Sequence, residues 1–158
     1  MLRRAALVLV SVLALSACSQ AVVSVPVAPE AQHPDCARIV LALPEELGGQ
    51  PRRTTSSQAT RAWGDPFEAV TLRCVVPVPP PTTATCTTAD DLQGHAVDWV
   101  AVEDERGWTF TTYGREPAVE VFVPAAVAEE RSTSFLLDLG PAISIVPQSR
   151  ACIGLEDF

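Results

Sequence analysis

The cysteines constrain this chain most. Five occur in 158 residues, and Cys18 stands apart from the other four because of what precedes it. Residues 1–4 carry Arg3 and Arg4, residues 5–15 are apolar apart from Ser11, and Leu15-Ser16-Ala17-Cys18 follows. Such an apolar run is too short to span a bilayer as a helix, and the order basic, apolar, small is that of a secretory leader. Its last four residues have the form of a bacterial lipobox, in which small side chains admit the peptidase and the cysteine sulfur takes a diacylglyceryl group. Residues 1–17 are therefore expected to be removed as a lipoprotein signal peptide. Cys18 would then be the lipidated N-terminus, holding the protein at the outer face of the cell membrane by acyl chains worth ~0.8 kcal/mol per buried methylene.

An exported chain meets oxidising conditions, so Cys36, Cys74, Cys86 and Cys152 read as two disulfides. Three pairings are possible. Cys36–Cys74 with Cys86–Cys152 is favoured, because Cys36 opens a predicted helix, Cys74 ends a predicted strand, and Cys152 lies on a tail that needs fixing. Loops of these lengths imply roughly 4 kcal/mol each in the chain-entropy model. Neither CxxC nor HxxxH spacing occurs, and His33 lies outside the predicted domain, so no metal or other cofactor is expected.

Charge narrows the partners. All eleven cations are Arg, none is Lys, and the formal charge is −8; removal of Arg3 and Arg4 with the leader makes the mature side chains −10. Nucleic-acid binding needs a cationic footprint that neutralises phosphates, so no nucleic acid is expected as a partner. Anionic headgroups would likewise repel the domain as a whole, which predicts a lipid that anchors while the domain stands off.

Residues 18–34 are rich in Val, Ala and Pro without helical or alternating period, and read as a lipidated, extended tether. Residues 35–158 form the predicted single disulfide-stapled domain, long enough for one core. Cys36, Ile39, Val40, Leu43 and Leu47 fall on one helical face, with Asp35 as cap and Pro44 ending or kinking the helix. Residues 50–60 are polar and read as an exposed loop. Residues 69–78 read as a strand stopped by prolines. Alternation over Val97, Trp99 and Ala101, then over Trp108 and Phe110, predicts a hairpin turning at residues 103–107, and residues 118–124 a third strand beside it. Phe135, Leu136, Leu139 and Ile143 have helical spacing. The expected fold class is α+β: an antiparallel sheet of about four strands with N- and C-terminal helices packed on one face, a two-layer sandwich.

Taken in order, Cys36 with Leu43-Pro44, Arg52-Arg53-Thr54, Ala62-Trp63-Gly64-Asp65-Pro66, Leu72-Arg73-Cys74, Val97-Asp98-Trp99, Thr111-Thr112-Tyr113-Gly114-Arg115, Val119-Glu120-Val121 and Leu136-Leu137-Asp138-Leu139 form a distinctive set. In these the chain resembles an actinobacterial family of small exported proteins and lipoproteins, the domain-of-unknown-function family numbered thirty-five fifteen. The resemblance spans nearly all of residues 36–146. It implies an exported address and an envelope role and transfers no catalytic residue. Cys86 and Cys152 are outside the family's general pattern and look like a local staple.

Arg52, Arg53, Arg73 and Arg115, with Trp63, are the candidate binding surface. A guanidinium fork grips carboxylate or phosphate at two points, and an aromatic face can stack a sugar or a guanidinium. The alternative is structural: Arg73 and Arg115 paired with Asp65, Asp98 or Glu120, and the tryptophans in the core. No nucleophile elbow, calcium loop or phosphate loop occurs, and His95 follows Gly94 in a predicted turn, so no enzyme activity and no catalytic residue are expected. What remains is a monomeric, membrane-anchored binding or assembly accessory whose partner is an envelope protein or wall component. A small-ligand carrier is the alternative, and a hydrolase acting through His95 the less favoured one.

Overall fold

A computed structural model describes residues 21–81 and 84–152 of the chain. The leader, Cys18 and the first residues of the tether lie outside the described residues. Eight strands form one antiparallel sheet: β1 (Glu46–Leu47), β2 (Gln50–Arg53), β3 (Thr60–Trp63), β4 (Val70–Val76), β5 (Thr85–Ala89), β6 (Val97–Asp104), β7 (Gly107–Thr112) and β8 (Ala118–Pro124). Their order is β1-β2-β3-β4-β8-β7-β6-β5, so two four-stranded meanders meet where β4 pairs with β8. Helical structure is sparse: α1 (Pro34–Ala42), α2 (Ala125–Glu130), a 3-10 segment (Thr133–Leu139) and α3 (Gly140–Ile143).

The expected α+β sandwich with about four strands is therefore wrong; the protein is mostly β, with a sheet twice as wide. The four strands legible in the sequence correspond to β4, β6, β7 and β8, where apolar and polar residues alternate over six residues or more. The others are too short or too polar for a period to show. β2 reads Gln-Pro-Arg-Arg and β5 Thr-Cys-Thr-Thr-Ala; such strands are held by ladder hydrogen bonds to a neighbour rather than by their own burial. Residues 50–60, expected as a loop, thus contain β2 and the start of β3. At the other end, the helix expected through Leu47 stops at Ala42, because the residue before Pro44 is driven out of the helical region; Leu43 is extended.

The period of two sorts the sheet into faces. Ala101, Phe110, Val121 and Leu72 are successive cross-strand partners, and with Trp63, Trp99, Val97, Val119 and Val123 they face Cys36, Ile39, Leu43, Phe135, Leu139 and Ile143 in one continuous core. The disulfide Cys36–Cys74, Cα atoms 5.7 Å apart, ties α1 to β4 through this core. Cys86–Cys152, with the same Cα separation, fastens the chain's end to β5.

Of the tether expected over residues 18–34, the described part is extended only as far as Ala28; residues 29–32 form turns, Pro34 opens α1, and the extended part is not free. Val23 forms a parallel bridge with Thr55. Val23 and Val25 are buried on Ala62 and Ala69, on the sheet face opposite the helices, and the hydroxyl of Ser57 donates to the carbonyl of Val25 at 2.7 Å.

Candidate functional site

The candidate residues do not form one surface. Trp63 is fully buried and donates its indole N–H to the carbonyl of Pro44 at 3.0 Å. Arg73 lies on the face opposite the core, where its guanidinium grips both carboxylate oxygens of Glu120 at 2.6 and 3.1 Å across the β4–β8 ladder. Arg115 is 5% exposed and donates to the carbonyls of Val146 and Ala96 and to the side chain of Gln148. Burial pushes its guanidinium below the ordinary arginine range, partly offset by Asp98. Asp98, itself buried, accepts from Thr88, from Gln148 and from the amide of Cys152. Arg115 and Asp98 together clamp the C-terminal tail, and neither is free for a ligand. The tail passes so close to Gly114, at φ +71°, that a Cβ there would strike the backbone of Arg150.

Arg52 and Arg53 do converge, and they do so with a third arginine that sequence reasoning missed. A polar cleft of about 700 Å³ at the β2 end of the sheet is lined by Glu45, Glu46, Arg52, Arg53, Ser57 and Arg61, among others. Register explains the convergence. Arg61 pairs with Leu72 and so continues the core row Ala101, Phe110, Val121, Leu72 onto β3, where the row ends because β2 stops at Arg53, while Arg52 pairs with Trp63 on the same face. Two guanidinium groups thus end rows that are otherwise apolar. Arg61 is held below the ordinary arginine range by burial, then by the charge of Arg52, against the pull of Glu45; it nonetheless stays charged at neutral pH. Its Nε is buried and has no hydrogen-bond partner among the described residues, although a terminal nitrogen donates to the carbonyl of Thr60 at 2.9 Å. Arg53 donates to the carbonyl of Gly64 at 2.5 Å. Arg52 pairs with Glu45 at 2.8 Å, and with Glu45 74% exposed such a pair is worth no more than about 1 kcal/mol. The cleft therefore offers one under-satisfied guanidinium and one held by a carboxylate that can leave. An incoming carboxylate or phosphate can take both.

His95 sits in the loop before β6, where its ring Nδ1 donates to the carboxylate of Asp91 at 2.6 Å. Among the described residues no group of three or more His, Cys, Asp or Glu side chains could hold a metal ion. The space beneath the sheet is filled by Trp63, Trp99, Phe110 and Leu139. No described helix is long and apolar enough to cross a membrane.

Fold and site together define a mostly-β, disulfide-stapled domain with an arginine-lined cleft at one edge of its sheet. A comparison of the sequence with family models is more specific: the chain belongs to the family described as protein of unknown function (DUF3515), whose model matches residues 2–151. Comparisons with curated proteins and with solved structures give no match.

Proposed function

We propose that this protein is a lipid-anchored, extracytoplasmic accessory of the cell envelope that uses the Arg52, Arg53 and Arg61 cleft to hold an anionic group of a wall component or partner protein. The address rests on the basic, apolar, small, Cys order of residues 1–18. The single observation that carries the binding role is that three arginines line one cleft of a protein whose net charge is strongly negative, Arg52 and Arg61 from the same sheet face. A charge pattern of that kind excludes anions from most of the surface and admits them at one place, which gives selectivity by location.

Titration calorimetry with inorganic pyrophosphate, and separately with a short peptide bearing a free carboxylate, tests the cleft. Each charge-assisted hydrogen bond lost should weaken binding roughly tenfold or more, so Arg61→Gln and Arg52→Ala/Arg53→Ala should both lose affinity while Arg73→Ala does not. Equal affinity in all variants would remove the cleft as the site. Crosslinking of the wild-type protein in its native envelope, compared with Arg52→Ala/Arg53→Ala, then identifies what carries the anion.

A further inference from the structure

The sheet face turned away from the helices is covered at both flanks and open between them. Val23 and Val25 cap Ala62 and Ala69 on one flank, and Cys152 with Gln148 covers Asp98 and Cys86 on the other. Between them runs the cross-strand row Val102, Thr109, Phe122, Thr71 and Ala62. A cavity of about 730 Å³ lies along this strip, walled by the N-terminal segment at residues 23–26, by Phe67 and by Phe122. Of the side chains that line it, Phe67 is 92% exposed, and Val102, at the far end of the cross-strand row, is 53% exposed. The strip's charges cancel in pairs, Arg73 with Glu120 and Arg106 with Asp104 at 2.8 Å, and the guanidinium of Arg106 lies 5.7 Å over the ring of Phe122.

We infer that this strip is the surface on which the protein rests against the lipid bilayer, with Phe67 entering the interface between headgroups and acyl chains. The inference depends on the lipid anchor at Cys18 proposed above. Chain length is the first argument. Val23 is docked on the domain and forms part of the cavity wall, so only four residues lie between it and the lipidated cysteine, a span of no more than ~18 Å when fully extended. The headgroup layer is itself several ångströms deep on each side of the hydrocarbon. A tether this short cannot let the domain stand off; it brings the flank beside Val23 down to the membrane first. Exposed apolar surface is the second argument. The charges lining the strip pair off, Arg73 with Glu120 and Arg106 with Asp104, but Asp65 and Glu68 beside Phe67 are exposed, so the contact is driven by apolar area and not by charge. A phenyl ring as exposed as that of Phe67 gains by entering the interface, where aromatic residues partition well.

The test places the photoreactive residue p-benzoylphenylalanine at Phe67, or at Leu41 as the control, in the full-length lipidated protein reconstituted into vesicles of phosphatidylethanolamine and phosphatidylglycerol. Leu41 is also an exposed apolar residue, at 80%, but it belongs to α1 on the opposite layer. Both positions are exposed, so neither exchange disturbs the core. After irradiation, mass spectrometry should find lipid adducts at position 67 roughly tenfold or more above those at 41, as partial burial of a phenyl ring implies. Equal adducts at the two positions overturn the inference, as do adducts at 67 that are chiefly to protein. The same spectra report the mass of the N-terminal peptide. An unlipidated Cys18 there would overturn the anchor itself, an outcome distinct from a lipidated protein whose Phe67 never meets lipid.

Discussion

Arginine at the end of an apolar row is the residue-level device of this protein. Arg61 and Arg52 stand on the core face of β3 and β2 where the neighbouring short strand has already run out, and the cleft there leaves them exposed enough to keep their charge. Arg115 shows the same side chain put to the opposite use, its terminal nitrogens bonded to the carbonyls of Val146 in the tail and Ala96 in the loop before β6 and to the side chain of Gln148. Asp91 is a third case. Burial opposes its charge, but hydrogen bonds from His95 and from the amides of Gln93 and His95 outweigh that and hold the carboxyl below the usual carboxylate range. A carboxyl depressed in the folded state adds stability that is fully present above its unfolded value near ~3.9 and is lost as pH falls through the folded one. The loop at residues 90–96 should therefore be insensitive to pH near neutrality and lose amide protection at Gln93 and His95 only below about pH 4. Hydrogen exchange measured across that range checks it, and Asp91→Asn should abolish the transition.

At the scale of elements, the segment at residues 21–31 changes character most between sequence and structure. Its composition is that of a linker, yet Val23 and Val25 are 6% and 4% exposed and Ala28 and Ala31 are buried too. Removing two valine side chains from such sites forfeits about 1–2 kcal/mol each. The Val23→Ser/Val25→Ser variant should lower the urea midpoint accordingly and open residues 21–31 to limited proteolysis, while Val22→Ser and Val27→Ser, at exposed positions, should change neither. An unchanged midpoint would mean that the segment adds nothing to the fold. Strand legibility follows the same division. β8 shows its alternation plainly because Val119, Val121 and Val123 face the core and Glu120 and Phe122 do not. Nothing in Gln-Pro-Arg-Arg marks β2, whose place is decided by its neighbours Glu46–Leu47 and Thr60–Trp63. With β2 unread, the meeting of Arg52, Arg53 and Arg61 could not be read either, since nine residues separate Arg52 from Arg61 and only the turn between their strands brings them together.

For the whole molecule, the two disulfides divide the labour of holding a wide, thinly covered sheet. They close sequence separations of 38 and 66 residues, and each removes roughly 4 kcal/mol of unfolded-state freedom in the chain-entropy model. Native stabilities are commonly only ~5–15 kcal/mol. Loss of Cys86–Cys152 should release the tail and cost about 2–4 kcal/mol, read as a lower urea midpoint together with faster exchange confined to residues 146–152 and β5. Loss of Cys36–Cys74 should cost more, because both cysteines are fully buried between α1 and β4 and their removal also loosens the core. A larger loss for the Cys86–Cys152 variant, which opens the longer loop, would show that loop length alone decides.

Local patterns in the sequence were enough for what a short stretch of chain decides alone: the long alternating strands, the proline that ends the first helix, and an ordered set of motifs that places the chain in its family. Each of these depends on residues a few positions apart. Sheet width, the docking of the N-terminal segment, the burial of Trp63 and Arg115, and the company kept by Arg52 were decided only in three dimensions. Edge strands, ion pairs and clefts are made by residues distant in the chain, and their energies come from partners that no local window contains.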